Sequence, residues 1–493
     1  MEIYMILVSK VDYYTESSIN QILNSEETNI NKLEGYRSLV KLLQDWPTTS
    51  ISKVLQNLYD YTKQNLNYIQ FELQNSIINK LELLLKSVEY PQKALNLKKI
   101  QPIQVERLNT LYSDLLLFQL ECYLPYQQVI QQESLQTGIL PLDVLIYPIW
   151  VRFQYHFMSQ QPTNNAEKPE WFIQFILDNI KNQLKLFIQV EKFGKGLFQS
   201  YHRNSTKISS KKFSSTAVFV DWISSLIQHQ LNYLKPQHLQ NPHTLAHTIK
   251  ELIDFDFTIR DDIIKKYPKL EWEPISVVYL KSDTIKNAWL ESEYKVVTVK
   301  LQEILSDKEA WEYVYYDSSL PLPSQIDDEF DMPTHSVDRM FTVFEAITER
   351  YQHVLDPKIK LLYFEKVHYP LLGDYLGGMR RVYKGFERKF LGFRTPGGPP
   401  ITRPDPDNLA ILQKLIYSSN FLMEQVKYLE NDQMFLELWS LKHEQSNNNA
   451  EDAENEGLFD HFISELEQFI QDIQTTLDSF TKPSISDTLS QLT

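Results

Sequence analysis

Between Arg152 and Trp171 the chain reads RFQYHFMSQQPTNNAEKPEW. Arg152, Phe153, Tyr155, His156 and Phe157 crowd into six residues, and Lys168, Pro169, Glu170 and Trp171 close the stretch. Such a group is raw material for a catalytic cluster, a binding motif or the join between two helices. In helical register Arg152 and His156 lie one turn apart, as do Phe153 and Phe157. One pair can then face inward while the other bonds to a neighbouring helix or loop. Pro169 suits the first turn of a following helix, with Glu170 near its positive end. Trp171, Phe172, Phe175 and Ile176 would follow on its buried side. Chemistry alone thus favours a helix, a polar connector and a new helix.

Other candidates for chemistry are few. His243 and His247 share a helix face that Glu251 extends. A zinc protease needs a glutamate straight after the first histidine as general base, and that place holds Thr244. The run Gly194-Lys195-Gly196 lacks the Ser or Thr and the glycine register of a phosphate loop. No GxSxG elbow, CxxC pair or GxGxxG turn occurs. The lone cysteine, Cys122, lies in an apolar helical context and reads as a small core residue. No catalytic residue, cofactor or metal is expected.

The most suggestive surface is MRRVYKGFERKFLGFR, from Met379 to Arg394. Arg380, Arg381, Lys384 and Arg388 form a possible basic surface, interleaved with Tyr383, Phe386, Phe390 and Phe393. Basic and aromatic residues together suit RNA, DNA or an anionic membrane. Tyr383, Phe386 and Phe390 also fall at i, i+3 and i+7, so the alternative is an inward aromatic stripe under a solvated basic face.

The elements that must position these groups are helical. Glycine is scarce, 12 in 493, and seven of the twelve lie between Gly373 and Gly398, where irregular backbone is expected. A hydrophobic fraction of 42% supports a large core, and a net charge of −15 argues against nucleic-acid binding by the chain as a whole. One cysteine permits no internal disulfide, which fits a reducing compartment. Neither a membrane span nor a signal peptide is visible, so the chain is expected in the cytosol or nucleus, or peripherally on a cytosolic membrane face.

Helical spacing runs over 51–88, stopped by Pro91, and resumes after Pro102. Residues 125–145 look irregular. Further helices are expected over 169–190, 214–234, 241–264, 284–316, 335–355, 356–376, 379–391, 409–443 and 458–480. The domain reading is an N-terminal rod segment, 1–98, and a middle bundle, 99–316. A proline-rich acidic linker, 317–334, then leads to a C-terminal bundle, 335–493, with loops at 394–408 and 444–457.

The opening stretch also resembles something specific. RFxYHF, five residues, TN, three residues, KPEW is similar to the signature of the RINT-one/Tip-twenty family of tethering subunits. Arg152, Phe153, Tyr155, His156, Phe157, Thr163, Asn164, Lys168, Pro169, Glu170 and Trp171 all stand in place. FDFTIR, the run from Trp289 to Trp311, the block from Ala346 to Val367, and FLGFR resemble later family landmarks in the same order. The similarity extends over roughly 5–480. The resemblance implies an all-α elongated rod of consecutive helix bundles, of the CATCHR tether type. It implies a non-enzymatic subunit of the Dsl (NRZ) complex on the cytosolic face of the endoplasmic reticulum. There it would bridge coatomer-coated vesicles and ER SNAREs, with the signature residues architectural. Its implied partners are the other tether subunits and the ER SNAREs, with membrane contact through them and no nucleic acid. Family members usually continue further at both ends, and their N-terminal helices pair with a partner tether of the ZW-ten/Dsl-one type. The loop TPGGPPITRPDPDN interrupts the family's continuous stretch.

Overall fold

The computed structural model describes residues 2–24, 29–46, 55–93, 98–193, 214–314, 333–390, 404–446 and 457–491. Among them the protein is all-α, as expected: sixteen α-helices, and one isolated antiparallel bridge between Tyr313 and Thr334. The chain divides into two compact units, Met1–Pro236 with Ile259–Trp272, and Gln237–Thr258 with Glu273–Thr493.

In the first unit α1 (Glu2–Asn24), α2 (Glu34–Gln44) and α3 (Gln56–Ser87) pack on one another. Then α4 (Pro102–Glu121) packs on α3, α5 (Leu140–Phe157) on α4 and α6 (Pro169–Val190) on α5. Helix α3 shows the physical reason. Leu58, Leu66, Ile69, Leu73, Ile77 and Leu81 recur at helical spacing and are wholly buried. Each contributes about 1.5–3 kcal/mol by leaving water. The expected irregular segment is shorter than the sequence reading had it: Leu140 to Leu145 are the first turns of α5, with Pro141 in its opening turn. Asp143 there accepts hydrogen bonds from the Thr137 amide (2.8 Å) and hydroxyl (2.7 Å), which ties the preceding loop to the helix start. Helix α7 (Ser215–Gln240) follows and carries Pro236 inside it, beyond the expected stop at 234.

The second unit is built from α8 (Pro242–Thr258), α9 (Ile275–Leu280), α10 (Asp283–Ser306), α11 (His335–Tyr351) and α12 (Pro357–Tyr363). These are joined by α13 (Tyr369–Phe390), α14 (Pro406–Leu429), α15 (Gln433–Ser446) and α16 (Asp460–Gln491). Helix α10 packs against α8, α11 and α13; α16 packs against α13 and α14. Four of the clustered glycines, 373, 377, 378 and 385, lie inside α13, so the backbone there is regular. Gly378 faces Leu305, whose Cδ1 would stand 2.6 Å from an added Cβ, so the glycine serves close helix packing rather than a break. The expected linker at 317–334 and loops at 394–408 and 444–457 fall largely outside the described residues.

Candidate functional site

The Arg152–Trp171 stretch is the end of α5, a connector, and the start of α6. Of the two one-turn pairs, the phenylalanines face inward. Phe153 and Phe157 are buried, their rings 5.1 Å apart, and Phe175 of α6 lies 5.9 and 5.6 Å from them. Phe172 packs on Phe157 at 6.5 Å. Arg152 points its guanidinium over the Phe175 ring, 5.9 Å from the centroid, so it covers the aromatic cluster from the solvent side.

The polar residues of the motif close the helix. The last carbonyls of any helix lack partners within it. Here the Gln154 carbonyl accepts from Met158 N–H at 3.0 Å. The Tyr155 carbonyl accepts from the Ser159 hydroxyl, and the His156 carbonyl from Thr163 Oγ1 at 2.7 Å. The Phe157 carbonyl accepts from Gln230 Nε2 of α7 at 3.2 Å. Asn164 Nδ2 donates to the Ser159 carbonyl at 2.9 Å and holds the connector itself. Pro169 is buried at the start of α6, and Lys168 Nζ lies 3.6 Å from Glu170 Oε1. Trp171 departs from expectation: it is 42% exposed. The buried face of α6 is set by Phe172, Ile173, Ile176 and Ile180, and Trp171 falls at its edge. Tyr155 is likewise exposed. His156 is half-buried, with its Nδ1 3.5 Å from Thr163 Oγ1. The arrangement joins two helices, and the hydroxyl nearest His156, that of Thr163, donates to the His156 carbonyl at 2.7 Å.

The other candidates resolve in the same direction. His247 Nε2 lies 3.7 Å from Glu251 Oε1 on the surface of α8, and His243 is exposed. No group of three or more His, Cys, Asp or Glu residues suited to a metal occurs among the described residues. Cys122 is half-buried rather than a core residue, because it caps the end of α4. Its thiol donates to the Leu124 carbonyl at 2.7 Å, and burial pushes its pKa up to about 12, which disfavours the nucleophilic thiolate. On α13, Phe386 and Phe390 are buried and Tyr383 bonds Thr476 Oγ1 at 2.7 Å. The rings turn inward, and Arg381, Lys384 and Arg388 remain exposed on the outer face. Arg380 pairs with Glu465 at 3.5 Å.

Two landmark blocks of the sequence, the Trp289–Trp311 run and the Ala346–Val367 block, meet in the core of the second unit, which sequence reading did not foresee. Trp289 of WLESE packs on Tyr363 at 5.0 Å, and Tyr363 stacks on Tyr351 at 4.4 Å. Glu293, almost wholly buried, accepts from Tyr363 Oη at 3.1 Å and pairs with Arg350 Nε at 3.3 Å. Asp256 of FDFTIR caps α9, accepting from the Ile275 and Ser276 amides (2.9 and 2.7 Å) and from Ser276 Oγ (2.6 Å). Two histidines are buried in the same unit. His368 bonds Tyr351 Oη at 2.8 Å and the Phe344 carbonyl at 3.1 Å. His238 bonds Tyr279 Oη at 2.9 Å and Thr248 Oγ1 at 3.2 Å. Burial lowers their pKa values to about 3 and about 4, so both are neutral. The signal that marks them is weak in sequence: a single histidine at an apolar helical position.

The model of the RINT-1/TIP-1 family matches residues 140–492, beginning at the first residue of α5. The protein transport protein tip20 of Schizosaccharomyces pombe is 21% identical over 312 residues, 62% of this chain and 41% of that protein. The RINT1-like protein of Drosophila melanogaster is 22% identical over 305 residues, 61% of this chain and 39% of that protein. The chain thus spans about two fifths of the length of these curated relatives. A crystal structure of the SNARE Sec20 bound to the Dsl1 complex subunit Tip20 aligns with a TM-score of 0.46 at 13% identity, covering 98% of this chain and 70% of that one.

Proposed function

The chain belongs to the RINT-1/TIP-1 family, and from that premise we propose that it is a non-enzymatic subunit of a multisubunit tether for Golgi-to-ER retrograde transport. In this reading it bridges coatomer-coated vesicles and ER SNAREs and sits peripherally on the cytosolic face of the ER through its partners. The family match across 140–492 carries the reading. The geometry is in keeping with it: polar groups of the Arg152–Trp171 motif bond helix ends rather than converge on a reaction centre. No described helix is long and apolar enough to cross a membrane.

The test is affinity purification of this chain from its own cells at moderate salt, with mass spectrometry of what accompanies it. ER SNAREs and other tether subunits are the expected companions. Normal retrieval of ER-resident cargo after depletion would count against the reading.

The exposed Arg381, Lys384 and Arg388 favour a second, subsidiary role, contact with an anionic membrane. Stacking on nucleic-acid bases is disfavoured, because Phe386 and Phe390 are buried.

A further inference from the structure

We propose that α3 carries a docking groove for an extended, uncharged, proline-containing segment of a partner polypeptide, a site that stands independently of the family reading. Helix α3 presents a row of side-chain amides, Gln64, Asn67, Gln70 and Gln74. Their spacings of three, three and four residues place them along one helix face.

Two rungs of this row already grip non-helical backbone of the chain itself. Gln74 accepts from the Gln127 amide at 3.0 Å and donates to the Gln127 carbonyl at 2.5 Å. Gln70 treats Leu124 the same way, at 3.3 and 3.4 Å. A carboxamide offers one donor and one acceptor side by side, as a neighbouring strand would. The segment held in this manner, Leu124-Pro125-Tyr126-Gln127, carries no formal charge and contains a proline. It is the chain's own example of what the row recognises.

The other two rungs, Gln64 and Asn67, are exposed. With Tyr68, Phe71, Pro125 and Tyr126 they line a cavity of about 510 Å³, within the range that holds ligands. All the residues around it are formally uncharged at neutral pH, in a chain of net charge −15. A charged ligand would find no counter-ion there. Tyr68 and Phe71 are 50% and 43% exposed. Aromatic-lined grooves take polyproline-II segments because proline rings pack on aromatic faces and the segment arrives already extended. Its carbonyls, free of internal hydrogen bonds, then accept from side-chain amides such as Gln64 and Asn67.

The experiment is a selection of random phage-displayed nonapeptides on the immobilised full chain. Uncharged, proline-containing sequences should be enriched. Synthetic versions should bind wild type and lose at least tenfold in affinity for the Asn67→Ala/Tyr68→Ala double variant. Both side chains are exposed, so the double variant should keep the wild-type melting curve. If it does not, Asn67→Arg, which sets an unmatched charge in the groove, carries the same tenfold expectation. Absence of any enriched sequence, enrichment of charged sequences without proline, or equal binding by the variants would overturn the proposal. None of these outcomes depends on whether the chain is a tether.

Discussion

The two units satisfy their buried polar groups in different ways. In the first, carboxamides do much of the work: Gln74 on Gln127, Gln119 on the Leu140 amide and the Gly138 carbonyl (2.8 Å each), Gln183 on the Pro91 carbonyl (3.0 Å) and Gln230 on the Phe157 carbonyl. In the second, buried groups that titrate take a larger part: His238, His368 and Glu293, each bonded to a tyrosine, and Asp256, which accepts from the Ile275 and Ser276 amides. An amide has the same donors and acceptors at any ordinary pH. A buried histidine does not. Two helical units of one chain should therefore share a response to lost packing and differ in their response to acid.

The packing side of that comparison has the largest effect. Phe153→Ala removes a fully buried ring from a cluster of three other phenylalanines and should cost about 3–5 kcal/mol. Urea unfolding of variant and wild type at pH 7 and pH 5 measures this. The cost should be the same at both, since no titratable group is created or lost.

Acid should separate the units. His238 and His368 have folded pKa values near 4 and 3, below the unfolded value of about 6.5. The unfolded chain then binds more protons between those limits, so stability is full above pH 6.5 and falls as pH drops toward 4 and 3. The loss is on the order of a few kcal/mol and is larger in the second unit, since in the first burial lowers the pKa of only His229 among the described histidines. Hydrogen exchange by mass spectrometry at pH 7 and pH 5, corrected for intrinsic rates, should show amides of 337–376 losing protection ahead of those of 58–85. Equal loss in both units would break the comparison.

A smaller effect sharpens the first unit's half of it. Gln74→Ala leaves the Gln127 amide and carbonyl without that partner and should cost about 1–2 kcal/mol, independent of pH. Thr163→Val, which deletes the donor to the His156 carbonyl, should cost about 1 kcal/mol and raise proteolytic sensitivity of the 158–168 connector.

The sequence made the apolar half of this legible and much of the polar half not. Leu66, Ile69, Leu73 and Ile77 announce α3 by spacing alone, and Phe153 and Phe157 announce the inward pair of α5. Gly377 and Gly378 were harder: they suggest a break between helices over 356–376 and 379–391, whereas α13 runs through them and Gly378 is small because Leu305 comes close. Trp171 was expected inside, but one position of helical phase puts it at the rim. Asp256, Glu293 and His368 were illegible for another reason. Nothing in a linear pattern distinguishes a carboxylate that caps a distant helix from one that faces water, because the partner lies on another element. The row of amides on α3 was visible as composition, yet its hydrogen bonds to 124 and 127 depend on where α4 ends.

The smallest expected effect on stability belongs to the outer face of α13. Arg381, Lys384 and Arg388 are exposed, while the aromatic side of the same helix is anchored by Phe386, Phe390 and the Tyr383–Thr476 hydrogen bond. The triple change Arg381→Glu/Lys384→Glu/Arg388→Glu should then alter stability by only about 0.5 kcal/mol per site or less. Flotation with vesicles containing anionic lipid gives the separate readout. Wild-type association that weakens with salt and disappears in the triple variant would make this face a membrane contact, since exposed charges act over about 10 Å at 0.1 M salt. Equal flotation of both proteins would leave the face a solvated one, with its helix held in place by the aromatic side alone.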